Sequence, residues 1–182
     1  MNNKGQLGSM WGIIFLVGGL MVLLFIGLLM AGGVSVLNWT MDIVVPEFSS
    51  LGMVGDTNMT QISDITLNPV HSLTKGFKWL GGVVYFIGVL AIFALAFIYR
   101  ATMQKWLMPF FFGLMIILLI VSIFMSNIYE DLYRGTDELA SGLKEQDLLS
   151  WMILYSPAIF SIVGFIAGAI MFSGAGTEEA TA

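Results

Sequence analysis

The chain has no cysteine, which removes disulfides, thiol nucleophiles, iron–sulfur clusters and thiolate zinc sites together. It has a single histidine, His71, so a serine–histidine pair or a histidine-built metal centre has little to draw on. Charge is scarce too: 10% of residues are charged, against about 25% in ordinary soluble domains. With 58% hydrophobic residues and so little polar surface, the chain cannot cover a water-soluble core, and its expected solvent is lipid. The seven Lys and Arg are scattered singly on a chain of net charge −5, so no basic stripe is available for successive phosphates. Membrane lipid is the expected partner and nucleic acid is not.

What is present is length of apolar run. Residues 5–41 carry no charge, and Trp11 to Trp39 is almost wholly apolar, longer than the 7 to 15 residues of a cleaved signal. Trp79–Tyr99 lies between Lys78 and Arg100, and Trp106–Tyr129 between Lys105 and Glu130. A fourth run goes from Leu148 to Phe172, with Pro157 inside it, where a kink is expected. Pro109 falls in the first turn of its run, where a missing donor costs little. The fold class expected is an all-α integral membrane protein: one transmembrane domain over residues 1–182, a bundle of four helices with short loops. Its spans are placed at 11–38, 79–99, 106–129 and 148–172. All five tryptophans, Trp11, Trp39, Trp79, Trp106 and Trp151, sit at or beside the ends of these runs, as anchors at the headgroup level do.

Lys4, Arg100 and Lys105 lie on one side of such a topology in very few residues. All of the acids except Glu178 and Glu179 fall in the loops on the other side. Both termini are therefore expected in the cytoplasm, with external loops at 40–76 and 130–147. The first loop contains Pro46, Gly52, Gly55 and Pro69 and shows no sustained periodicity, so it is expected to be irregular, with at most a short surface helix. In the second, Leu132, Leu139 and Leu143 oppose Asp137, Glu138, Lys144 and Glu145, which suits either an amphipathic helix lying on the membrane or a plain polar connector carrying Gly135 and Gly142.

The spans hold no Asp, Glu, Lys, Arg or His, the groups on which proton relays and voltage sensors depend. His71 reads as a metal ligand or pH-sensitive group with Asp64, or as a solvated loop histidine. Glu130 with Asp131, and Glu178 with Glu179, read as solvated charges. No metal or cofactor is expected. Small residues carry the interaction signal: Gly164 and Gly168 make a GxxxG step, and the first run offers Gly18, Gly19, Gly27, Gly32 and Gly33. Such faces serve equally for association between copies and for packing inside one chain. The third run, with Phe110, Phe111, Phe112 and Ile116 to Leu119, reads as lipid-facing all round. Two sequons, at Asn38 and Asn58, lie at or in the first external loop, Asn38 close to the bilayer.

Lys4-Gly5-Gln6 ahead of the first apolar run resembles the class III, prepilin-like signal of archaeal surface-filament proteins. The resemblance covers about six residues and implies cutting after Gly5 and an archaeal or archaeal-virus origin. Met10 stands where that signal usually carries an acid.

With no nucleophile, base and orienting group to name, an enzyme is not expected. The leading expectation is a non-enzymatic structural or assembly subunit of a membrane complex, archaeal or viral envelope included, acting as a homo-oligomer or with other membrane subunits. The alternative is a small channel, a holin-like pore or the membrane part of a transporter, its path lined by Ser122, Ser126, Ser156 and Ser161.

Overall fold

The computed structural model describes the backbone of residues 3–173, with side chains from Met10 onward. The polar tail from Thr177 to Ala182 lies outside the described residues. Four helical stretches are long and apolar enough to cross a membrane: Met10–Ser50, Met59–Thr102, Lys105–Arg134 and Ser156–Ser173.

The first helix, α1 (Asn3–Ser50), does not stop at Asn38 but continues as one 48-residue helix, about 72 Å long. Pro46 lies inside it and deprives the Asp42 carbonyl of its usual donor, a loss water can offset at this exposed turn. The chain then reverses through a two-stranded hairpin, β1 (Met53–Val54) and β2 (Thr57–Asn58), paired Met53 to Asn58 and Val54 to Thr57. Gly52 and Gly55 take φ of 60° and 62°, which a side chain would oppose, and Gly55 leads the tight turn as a type II′ hairpin requires. Asn58 caps α2 (Met59–Ile62) by accepting from the Gln61 amide at 3.2 Å. A π-helical turn at Ser63–Leu67 passes into α3 (Asn68–Tyr99), with Pro69 in its first turn.

The expected irregular loop at 40–76 is thus corrected to a helical hairpin. Neither arm has the apolar periodicity that marks a helix in sequence. Each is helical because the other lies antiparallel beside it. Ser49 Oγ donates to Ser63 Oγ at 2.8 Å, Asp42 faces His71, Gly27 faces Tyr85, Gly19 faces Ile92 and Gly12 faces Tyr99. One register therefore runs the whole length of the pair.

Two short 3₁₀ turns, Arg100–Thr102 and Lys105–Leu107, lead into α4 (Met108–Arg134). This helix is not lipid-facing all round. Phe111, Met115, Leu118, Ser122, Ser126 and Tyr129 recur at three- and four-residue steps and are buried, while Ile116, Ile117, Ile120 and Phe124 are exposed. Beyond Gly135, Asp137 caps α5 (Glu138–Lys144) by accepting from the Ala140 amide at 3.0 Å. Ala140 and Leu143 are buried against the bundle, so α5 folds back over α1 and α4 instead of lying apart on a lipid surface.

The last run is two helices, α6 (Asp147–Leu154) and α7 (Ser156–Ser173). The break at Tyr155 falls just ahead of Pro157, as the missing donor and the ring's bulk against the preceding turn require. The start of α1, the 100–107 turn and the end of α7 share one end of the bundle: Gly12 abuts Met103 and Tyr99, and Phe172 packs edge-on against Phe111. The hairpin projects from the other end.

Candidate functional site

The helix-packing glycines divide into two groups. Gly19, Gly27, Gly164 and Gly168 lie against Ile92, Tyr85, Met115 and Phe111 respectively, so that a methyl at any of them meets a neighbouring helix. Gly18 and Gly32 have nothing within 4 Å of where a side chain would begin. Gly18 instead lines an open apolar groove of about 250 Å³ between α1 and α4, with Ile14, Met21, Leu114, Ile117 and Val121. Sequence reading passed over Gly81, Gly82 and Gly88 of α3, which receive Leu149, Leu148 and Leu23. Their signal was available, since seven residues separate Gly81 from Gly88 on one helix face. Trp11, Trp39, Trp79, Trp106 and Trp151 are all exposed, as residues facing a membrane interface would be.

Polar groups gather where α1, α5 and α6 meet. Gln146, fully buried just ahead of α6, donates from Nε2 to the Ala31 carbonyl at 2.9 Å and to Ser35 Oγ at 2.8 Å. Gly142 allows this approach, because a Cβ there would sit 3.0 Å from Ser35 Cβ. Tyr129 of α4 bonds Ser150 Oγ at 2.7 Å, and Ser150 spends its proton on the Leu143 carbonyl at 2.7 Å, so Tyr129 is the donor in the first bond. That relay joins α4, α6 and α5. Lys78 pairs with Glu145 and ties α3 to the end of α5.

One turn beyond Ser35, Asn38 is 3% exposed, and neither its Nδ2 nor its Oδ1 has a hydrogen-bond partner. It lines a cleft of about 280 Å³ between α1 and α5, whose rim carries Trp39, Asp42, Glu138 and Glu145. Buried in a helix interior, Asn38 is no sequon acceptor. Asn58, exposed at the hairpin tip, is the accessible one.

Comparison with family models, curated proteins and solved structures returns no match.

His71 is not a solvated loop histidine, nor does it join Asp64. Its side chain is 15% exposed, with Nε2 2.9 Å from Asp42 Oδ1 across the hairpin, while Asp64 accepts from Asn68 Nδ2 at 2.8 Å. No cluster of three or more His, Asp or Glu suited to a metal occurs among the described residues. Ser122 and Ser156 bond each other at 3.0 Å, and Ser126 donates to the Leu154 carbonyl at 2.6 Å, beside the break in the last run. Ser161 bonds back to the Pro157 carbonyl. Within a single chain, Ser122, Ser126 and Ser156 join helices, and Asn127 is exposed.

Proposed function

We propose that this protein is a non-enzymatic assembly subunit of a membrane complex, built as four spans that carry a stiff helical hairpin on one side of the bilayer. A hydrocarbon core of about 30 Å takes up about 20 helical residues. Counted from Trp11 this reaches Ala31 to Gly33, close to Trp79 and the start of α6. The remainder of α1, to Ser50, then projects about 25 Å beyond the core. The start of α1 and the end of α7 lie at the opposite end, and the basic residues Lys4, Arg100 and Lys105 favour that end as the cytoplasmic one.

The observation that carries this reading is the apolar surface of that hairpin. Ile65, Met53 and Leu73 are 70%, 65% and 64% exposed, and Leu51, Val54 and Ile43 are exposed with them. Inside the bilayer such side chains meet lipid. On a stalk in water they are exposed apolar side chains that a partner would cover. Gly18 and Gly32, with open space where a side chain would begin, supply a second close-approach surface within the spans. The partners expected are further copies of this chain or other membrane subunits, in a cell membrane or an archaeal or viral envelope.

The chain's lack of cysteine makes the test clean. Leu73→Cys and Ile65→Cys variants, oxidised in the native membrane, should give disulfide-linked dimers or adducts with a bifunctional thiol reagent. Variants that remain monomeric under both treatments would count against assembly through the hairpin.

A further inference from the structure

The cleft between α1 and α5 is independent of the apolar hairpin surface, and its chemistry is different. Asn38 offers an N–H₂ donor and a carbonyl acceptor, both more than nine-tenths buried and neither bonded among the described residues. Leaving both halves of a buried amide unsatisfied is costly, and a leucine would fill the position without that cost. Such a group is explained when something else completes its bonds.

The rest of the lining says what. Asp42, Glu138 and Glu145 put three carboxylates round the opening; Asp42 is shared with His71 and Glu145 with Lys78, and Glu138 has no ion pair among the described residues. They do not converge as metal ligands do. The occupant is therefore a cation that spreads its contacts: one with N–H bonds to give to the Asn38 carbonyl and the carboxylates, and an oxygen to accept from Asn38 Nδ2. Trp39 adds an aromatic wall against which an ammonium is attracted. A quaternary ammonium satisfies the charge but not the amide. About 280 Å³ is room for roughly nine water-sized groups, at about 30 Å³ each, so a small amine fits with space to spare.

We propose that this cleft binds a primary ammonium with a neighbouring oxygen, as in a small amino alcohol. The same chemistry is offered by a free amine and by an aminophospholipid headgroup.

The test uses the full chain in mild detergent, with ethanolamine as probe and tetramethylammonium at equal ionic strength as control, read by calorimetry and by the thermal midpoint. Ethanolamine should bind and raise the midpoint by linkage, and tetramethylammonium should do neither. Asn38→Leu should raise the midpoint of the protein without added amine and abolish the response. Glu138→Gln should weaken binding about two- to fivefold, as loss of an exposed carboxylate does. Ser141 is exposed on α5 and lines the cleft, so Ser141→Phe should block binding while leaving the unliganded midpoint in place. Nanodiscs of phosphatidylethanolamine against phosphatidylcholine separate the sources: a higher midpoint in the former, lost in Asn38→Leu, assigns the lipid headgroup, and a response to ethanolamine in detergent assigns the free amine. No response to either source overturns the proposal, as does a response that survives both Asn38→Leu and Ser141→Phe or is matched by tetramethylammonium.

Discussion

Gln146 and Ala31 are joined by a 2.9 Å hydrogen bond from side-chain amide to backbone carbonyl across 115 positions of sequence. The carbonyl is the inner anchor of a polar contact that also takes in Ser35 and Gly142, and it fixes where the α5–α6 corner sits on α1. Gln146→Leu should therefore destabilise the chain by about 1–3 kcal/mol, because Ser35 Oγ loses its donor in a buried place. Reversible unfolding in mixed micelles measures this, and an unchanged midpoint would show that the contact contributes nothing.

The division among the glycines predicts opposite outcomes for one kind of substitution. Gly27→Leu drives a side chain into the ring of Tyr85 and should cost about 1–3 kcal/mol or more. At Gly32 a Cβ meets open space, and the effect of Gly32→Leu on unfolding should stay within about 0.5 kcal/mol of wild type or favour the helix. The same Gly32→Leu should nevertheless reduce the assembled fraction, which analytical ultracentrifugation in detergent reports. An assembly indifferent to it would remove Gly32 from the interface.

Ser122 and Ser156 should behave as a coupled pair. Each single alanine substitution leaves the other hydroxyl buried without its partner and should cost about 1 kcal/mol. The coupling from the double-mutant cycle should fall near 0.6 to 1.7 kcal/mol, about the range of hydrogen bonds between membrane helices. Solute flux through liposomes carrying the double variant should equal that of wild type, since these hydroxyls join α4 to α7. A changed flux would favour the transport reading.

The four long apolar helices were legible in the sequence because an uncharged apolar run of about 20 residues has the length and composition of a membrane-crossing helix. The hairpin was not. Pro46, Gly52, Gly55 and Pro69 read as loop chemistry, and only the two glycines act as turn residues. Pro46 is carried by a helix that the neighbouring arm supports, and Pro69 sits in a first helical turn, where its missing donor matters little. The heptad-like face of α4 was hidden because its exposed face, with Ile116, Ile117, Ile120 and Phe124, is as apolar as its buried one. Gln146 and Asn38 look like loop and boundary residues until α5 folds back over α1, a contact between segments about 100 residues apart that no local pattern encodes. Gly142, read as a mark against a helix in the second loop, is the residue that lets this contact form.

The apolar hairpin makes a prediction of its own. Replacing Met53, Ile65 and Leu73 together by serine removes exposed apolar surface and touches no buried side chain, so the unfolding midpoint should move by no more than about 1 kcal/mol in equivalent stability. Assembly should fall sharply. Loss of folding in this variant, seen by circular dichroism, would mean that these side chains support the monomer.

The most direct measurement is the mass and composition of the protein extracted from its native membrane in mild detergent, by size exclusion with light scattering and mass spectrometry, for wild type beside the triple serine variant. The account predicts a defined oligomer or a fixed set of companion subunits for wild type, reduced towards single chains in the variant. Single chains of 19.9 kDa in both preparations, with nothing travelling alongside, would contradict it.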